Sequence, residues 1–415
     1  MSIIEGGRDR GTGWKEQLSI RYSGGRNIIA PTATNAIIVL RHDFRWRQEG
    51  GLPRLRKNLL TNVIEVTYPP WAELEAGLET MAESHQRAWR ETDYILLHDW
   101  FLRDPYAMNF GMDRIKDIVS AAAQWNGYHP IREWLDTLSW DKQPRISTWL
   151  HDFLGAEKTS YSGLVGRMFL ISAIARVLNP GCQADAMPVL EGAQGIGKSS
   201  ALGVLFRPWF SDAHLDLDSK DSLIALRGCW GIEWAELSAL RKADIERVKT
   251  FISQRVNRYR PPFERIEVEE PRQCIFIGTT NRSAYLQDEE NRRFWPVKVR
   301  KIDLTALDRA RHQLWAEAMQ AYHDGEKWHP TQEESLGLFS PEQESRRVAD
   351  PWEELIIGFV DLRQEITTAE ILEHLGVPTE KQSTPEARRV AEIMRKNGWE
   401  NYRKGAIRGF RRLPP

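Results

Sequence analysis

Residues Gly192-Ala193-Gln194-Gly195-Ile196-Gly197-Lys198-Ser199 read G-x-x-x-x-G-K-S. Glycines in a tight turn let successive backbone N–H groups face one concavity. The positive end of a following helix adds to it, and the two together hold the β- and γ-phosphates of a nucleotide. The apolar run Met187-Pro188-Val189-Leu190 before the loop reads as a buried strand, and Ser200 to Leu205 after it reads as a helix. Strand, loop and helix are the context the motif requires. Lys198 is placed to reach the phosphates and the Ser199 hydroxyl to ligate Mg²⁺. Gly192, Gln194, Gly195, Gly197, Lys198, Ser199 and Ser200 form the candidate nucleotide-binding set, with ATP and Mg²⁺ as the expected ligands.

Hydrolysis needs more: a carboxylate for the metal, a base, a γ-phosphate sensor and a positive charge for the transition state. Glu233 and Glu236 stand at the end of the apolar stretch Trp230-Gly231-Ile232. One carboxylate would hold Mg²⁺ through water and the other polarise the attacking water. Glu233 joins Ser199 in the candidate metal set, while the division of labour within the pair stays open. Positions three apart on a strand face opposite sides, so both reach one nucleotide only if the strand ends and a turn carries Glu236 back. Asn281 closes Thr279-Thr280-Asn281 and is the sensor candidate. Arg292 and Arg293 are both eligible as an arginine offered across a subunit boundary.

Between these elements, Arg258-Tyr259-Arg260 alternates charge and ring, Pro261-Pro262 breaks the run, and Phe263 to Val268 reads as a returning hairpin arm. Arg258, Tyr259, Arg260 and Arg265 are candidate contacts to single-stranded DNA, with a subunit-contact hairpin as the alternative. Near the C-terminus, residues 366–376 and a segment starting at Thr384 read as two helices. Trp399 to Tyr402 and Ile407 to Arg411 then flank Lys404-Gly405 as a hairpin, which is a winged-helix order. Residues 386–415 carry nine Lys/Arg against three Glu, which suits DNA, duplex included; Arg403, Lys404 and Arg408 are the candidate contacts, and protein binding is the alternative.

The elements that position these residues follow from periodicity. Asn35–Leu40 and Asn62–Val66 are predicted strands and Trp71–Arg90 a helix. Ile131–Leu138, Pro144–Phe153 and Tyr161–Leu178 are predicted helices; Cys229–Ile232 and Cys274–Gly278 are predicted buried strands. Strands alternating with helices imply an α/β core with a largely parallel sheet. Arg41, Arg45, Arg47, Arg54, Arg56 and Lys57 make the N-terminal region basic, as a solvated face or a DNA contact. A net charge of −1 excludes a general polyanion binder, so any nucleic-acid surface is a local patch. No apolar run approaches a membrane span and no signal-peptide core begins the chain, so no membrane partner and a cytoplasmic location are expected. Three separated cysteines without a C-x-x-C pair point to packing rather than zinc.

These residues together resemble the virulence-associated protein E family, a relative of the superfamily 3 helicases of phages, plasmids and small DNA viruses. The likeness runs through Trp134-Leu135, Trp140-Asp141, Val189–Ser199, Phe210-Ser211-Asp212, Asp216–Asp221 and Leu226–Trp230. It continues through Glu233–Leu237, Val256–Phe263, Phe276–Asn281 and Asn291–Val297, covering roughly residues 126–300. It implies an AAA+-like P-loop NTPase core that assembles as a hexameric ring with ATP between subunits. Lys198, Ser199, Glu233, Glu236 and Asn281 would act in cis and Arg292 or Arg293 in trans, while the 258–265 hairpin tracks single-stranded DNA. Relatives often carry a primase module. Residues 1–125 show no primase carboxylate pattern, so a separate primase would supply priming. The expectation is an α/β protein: an N-terminal α+β region (1–125), a helical collar with the AAA+-like core (126–339), and a linker with a winged-helix module (340–415). Its expected function is an ATP-dependent DNA helicase for replication of a mobile element. The alternative is a DNA-binding initiator or ATPase switch that does not unwind.

Overall fold

A computed structural model describes residues 12–71, 86–103, 105–217, 219–237, 242–260, 267–286, 291–348, 350–378, 384–404 and 407–412. The chain divides into two units: Met1–Arg282 with Arg292–Pro341, and Ser283–Asn291 with Glu342–Pro415. The N-terminal region and the P-loop region therefore share one unit, and the boundary near 340 has a counterpart inside the P-loop region.

The first unit opens with a 3-10 helix (Thr12–Gln17), followed by a hairpin, β1 (Ile20–Ser23) and β2 (Arg26–Ile29), and a helix, α1 (Ala33–His42). The Asn35–Leu40 stretch is thus helical, not a strand. Thr32 caps it by accepting from the Asn35 amide, and the buried Asn35, Ala36, Val39 and Leu40 fall on a helical period. Cap and period override the β-branched Ile37-Ile38-Val39 run. β3 (Leu55–Asn58), β4 (Val63–Thr67) and β5 (Gln86–Ala88) form an antiparallel sheet. The helix expected over 71–90 is a strand at its C-terminal end; residues 72–85 lie outside the described ones. α2 (Glu91–Leu102) and α3 (Met112–Trp125) complete a core around Trp46, Leu97 and Ile118.

Next come α4 (Pro130–Asp136), α5 (Trp149–Leu154), α6 (Ser160–Leu178) and β6 (Met187–Glu191). The helix expected from Pro144 begins only at Trp149. α7 (Lys198–Phe206), β7 (Phe210–Ser211), α8 (Lys220–Ala225), β8 (Gly231–Trp234) and α9 (Lys242–Ser253) follow. An antiparallel ribbon, β9 (Val256–Tyr259) and β10 (Val268–Pro271), precedes β11 (Ile275–Thr280), β12 (Phe294–Lys298) and α10 (Leu304–His323).

The main sheet is five-stranded in the order β12-β6-β11-β8-β7, and every pair is parallel. Parallel strands need covered faces, and the cover is apolar: α6, α7 and α10 enclose Phe206, Trp230 and Trp315. α6 is long and apolar enough to cross a membrane, contrary to the expectation of no such run, but 78% of that stretch is buried. It is used as the central helix of this core.

The second unit contains α11 (Pro351–Val360), β13 (Glu365–Thr367), α12 (Thr368–His374), α13 (Thr384–Lys396), β14 (Trp399–Lys404) and β15 (Ile407–Arg412). Its antiparallel sheet runs β13-β15-β14. The core is Ile356, Ile366, Ile371, Val390, Met394, Trp399 and Phe410. Thr367 caps α12 reciprocally with Glu370.

Trp230 joins the sheet to its helices. It is fully buried, its ring centroid lies 4.1 Å from that of Trp315, and its indole donates to Ala173 O of α6 at 2.9 Å. Trp230→Ala is expected to cost about 3–5 kcal/mol in urea unfolding, and Trp230→Phe clearly less.

Candidate functional site

The loop of residues 192–197 leaves β6 and enters α7 at Lys198. Two glycines have no substitute. Gly197 caps α7 with φ +96°, in the left-handed region. A Cβ on Gly192 would lie 2.6 Å from Ile196 Cδ1 and 2.8 Å from the Val299 carbonyl. Gly192 N donates to Thr280 O at 3.1 Å, which ties the loop to the end of β11. Gln194, Gly195, Ser199 and Ser200 are exposed along the mouth.

Lys198 folds back over its own loop, donating from Nζ to the Gly192 and Ala193 carbonyls at 2.8 and 2.9 Å. Partial burial pushes its amine below the ordinary lysine value, and the charge of Glu233 opposes that shift. Ser199 Oγ donates to Glu233 Oε1 at 2.8 Å, and Thr279 Oγ1 donates to the same oxygen at 2.6 Å. Glu233 is only 4% exposed, and its other oxygen, Oε2, is buried without a hydrogen-bond partner. The sheet order explains this meeting. β11 lies between β6 and β8, so a carboxylate on β8 meets a hydroxyl from β11 and another from the helix after β6. Sequence reading had not singled out Thr279. A hydroxyl two residues before Asn281 was its only signal.

β8 ends at Trp234, and Ala235 and Glu236 form a turn. Glu236 is exposed with φ +53°, a conformation costing an L-residue roughly 1–2 kcal/mol. The strand end and turn that a shared role for the two glutamates requires are both present. Asn281 is exposed and follows Thr280, the residue bonded to Gly192.

Arg292 and Arg293 are placed differently. β12 pairs with β6 in parallel from Phe294↔Met187 to Lys298↔Glu191. Both arginines therefore stand before the N-terminal ends of the strands, and the 192–199 loop stands at the C-terminal ends. At ~3.3 Å per residue the sheet separates them by roughly 15 Å. Arg293 Nε lies 3.9 Å from Asp185 Oδ2, and its carbonyl accepts from Met187 N at 2.7 Å. Arg292 is exposed.

On the β9–β10 ribbon, side chains alternate across the strand. Arg258 and Arg260 are exposed and Tyr259 is 3% exposed. Arg258 faces Glu269 at 3.0 Å. Tyr259 donates to Glu270 at 2.5 Å, and Arg227, paired with Glu270, lies over the tyrosine ring at 5.3 Å. In this conformation Tyr259 anchors the ribbon and offers no ring for stacking. Arg265 lies outside the described residues. In the second unit, Arg403 and Arg408 are exposed and directly opposite across β14–β15, whereas the pair Glu400↔Arg411 is an ion pair at 2.8 Å. Like charges directly opposite are destabilising. The side chain of Lys404 lies outside the described ones.

Among the described residues, no group of three His, Cys, Asp or Glu gathers as a metal site. A cation beside the loop would have Glu233 and the Ser199 hydroxyl.

Solved structures of the NrS-1 C-terminal region are similar to this chain. An A-form apo structure has 15% sequence identity and a TM-score of 0.41, covering 67% of this chain and 78% of that one. An apo structure of residues 305–718 has 14% identity and a TM-score of 0.44, covering 86% and 96%. No curated protein matches the chain. Residues 135–348, just over half of the chain, match the virulence-associated protein E-like domain. They take in the 192–199 loop, Glu233, Thr279, Asn281 and the Arg292-Arg293 pair, and by that match the chain belongs to the virulence-associated protein E-like family.

Proposed function

We propose that the chain is an ATP-dependent DNA helicase, a ring-forming motor in the replication of a phage, plasmid or other mobile element. The observation that carries the reading is the Ser199–Glu233–Thr279 cluster beside a glycine loop at a helix N-terminus, with an exposed arginine at the far edge of the same sheet. The loop suits the phosphates of ATP. Lys198 would exchange two neutral carbonyl acceptors for charged phosphate oxygens, a stronger interaction. The buried, unpartnered Glu233 Oε2 and the neighbouring Ser199 hydroxyl fit Mg²⁺, which when bound would neutralise developing phosphate charge.

In this reading the two glutamates have different tasks. Glu233 is held by two hydroxyl donors and serves the cation. Glu236, on its strained exposed turn, is free to accept a proton from the attacking water, which Asn281 orients. Arg292, roughly a strand length from its own loop, can stabilise the transferring phosphoryl group only in another copy of the chain; Arg293 is the less exposed of the two and lies beside Asp185. A ring, a hexamer in this reading, supplies that copy. In the second unit the P-loop core's companion is a winged helix, with Arg403 and Arg408 aimed at DNA phosphates.

ATP hydrolysis with and without single-stranded DNA tests this. Wild type is expected to be stimulated by DNA. Lys198→Ala and Arg292→Ala are each expected to lose activity by at least about a hundredfold, and Arg293→Ala much less. Mixing the two inactive variants is expected to restore part of the activity, because some interfaces then pair an intact Lys198 with an intact Arg292. Hydrolysis indifferent to DNA would replace the motor with an initiator or ATPase switch. Glu236→Gln is expected to keep nucleotide binding, read with a fluorescent ATP analogue, and to slow turnover by about 10²–10⁴-fold.

A further inference from the structure

The helicase reading leaves the basic N-terminal residues unused. The structure gathers some of them and pairs others. Arg45 is held by Asp43 at 2.8 Å, and Arg56 by Glu133. Arg41, Arg47 and Arg54 are not paired with any carboxylate among the described residues. Arg41 lies with its guanidinium carbon 4.5 Å from the ring centroid of Trp125, at the end of α3. Arg47 donates to Gly51 O at 2.7 Å, and Arg54 donates from Nε to Arg47 O at 2.8 Å and from a terminal nitrogen to Tyr68 O, which leaves its other terminal nitrogen for a ligand. Asn126, next to Trp125, donates to Leu55 O at 3.0 Å, which closes the circuit between the end of α3 and the start of β3.

The charges feel one another. Burial and then Arg41 push Arg47 below the ordinary arginine value; burial, Arg41 and Arg47 do the same to His42. The nearby carboxylates do not relieve this. Asp43 is occupied by Arg45 and Tyr106, Glu65 accepts from Asn58, and Glu49 pairs with none of the three arginines. At the edge of this positive field Trp125 is 67% exposed, although it ends a helix whose other apolar face is buried. A large exposed ring beneath a guanidinium, beside further guanidiniums that have carbonyl partners but no carboxylate, suits a chain of phosphates whose bases have faces to stack.

We infer that Arg41, Arg47, Arg54 and Trp125 form a second binding surface for single-stranded DNA, separate from the β9–β10 ribbon. Phosphates lie along the arginines, and one base stacks on the exposed Trp125 ring. An acidic polypeptide would satisfy the arginines but leave the tryptophan without a role, so the ring decides for nucleic acid.

The test is fluorescence anisotropy of labelled oligo(dT) with the full chain, without nucleotide, over a salt series. Arg41→Glu and Trp125→Ala are each expected to weaken binding about tenfold. Arg41→Gln is expected to reduce the slope of log K against log salt by about 0.7, the value of one single-strand phosphate contact. Trp125→Phe is expected to recover most of the affinity lost in Trp125→Ala. Melting temperatures equal to wild type separate lost binding from lost folding. Wild-type affinity and slope in both Arg41→Glu and Trp125→Ala overturn the inference. Loss of polyglutamate binding with oligo(dT) binding intact also overturns it and assigns the surface to an acidic protein. If these variants bind normally while Arg258→Ala loses DNA-stimulated hydrolysis, this surface fails and the motor reading survives. If they lose binding while hydrolysis in wild type ignores DNA, the reverse holds.

Discussion

The candidate site depends on one constraint: a buried carboxylate must find donors. Glu233 is almost fully enclosed, and in a low-dielectric interior an unpaired charge is costly. Two hydroxyls meet one of its oxygens, and they come from different elements, the helix after β6 and the penultimate residue of β11. Those elements reach it only because β11 is inserted between β6 and β8. Strand order, the path of the glycine loop and the position of Lys198 are thus consequences of one another. The second oxygen is buried without a hydrogen-bond partner, so the two hydroxyls meet only half of the carboxylate's accepting capacity.

The same sheet separates functions as firmly as it gathers them. A parallel sheet has a C-terminal end and an N-terminal end. Ser199, Glu233, Thr279 and Asn281 collect at the first, while Arg292 and Arg293 stand at the second. Arg293 is partly buried beside Asp185 and Arg292 is exposed, so adjacent and chemically identical side chains have different surroundings.

Much of this was legible in the sequence. The loop motif, the apolar strands and the two glutamates carry local signals, because glycine spacing and β-runs reflect backbone demands within a few residues. The Glu236 turn followed from strand parity alone. Thr279 was missed because its role depends on which strand lies beside which, and no local pattern encodes that. Asn35–Leu40 was misread because a Thr cap and a buried helical face outweighed Ile-Ile-Val. Tyr259 showed the alternation expected of a strand, but alternation does not say which face is wet; its partners Glu270 and Arg227 come from elsewhere in the chain. The arginines of the N-terminal region were visible as a count, and only the fold sorted the paired from the unpaired.

The segment Ser283–Asn291 belongs to the second unit although it is written between Asn281 and Arg292. Leu286 bridges to Arg347, and the Tyr285 amide donates to Arg346 O at 3.0 Å. The polypeptide thus passes between the two units three times, after Arg282, before Arg292 and after Pro341. A module joined by one tether can be cut off, exchanged or fused elsewhere as a cassette. This one cannot: a fragment starting at 342 lacks a piece of its own structure, and a core ending at 341 carries that piece with nothing to pair it. Inheritance of the two units is therefore coupled, and neither can be shuffled at a single junction.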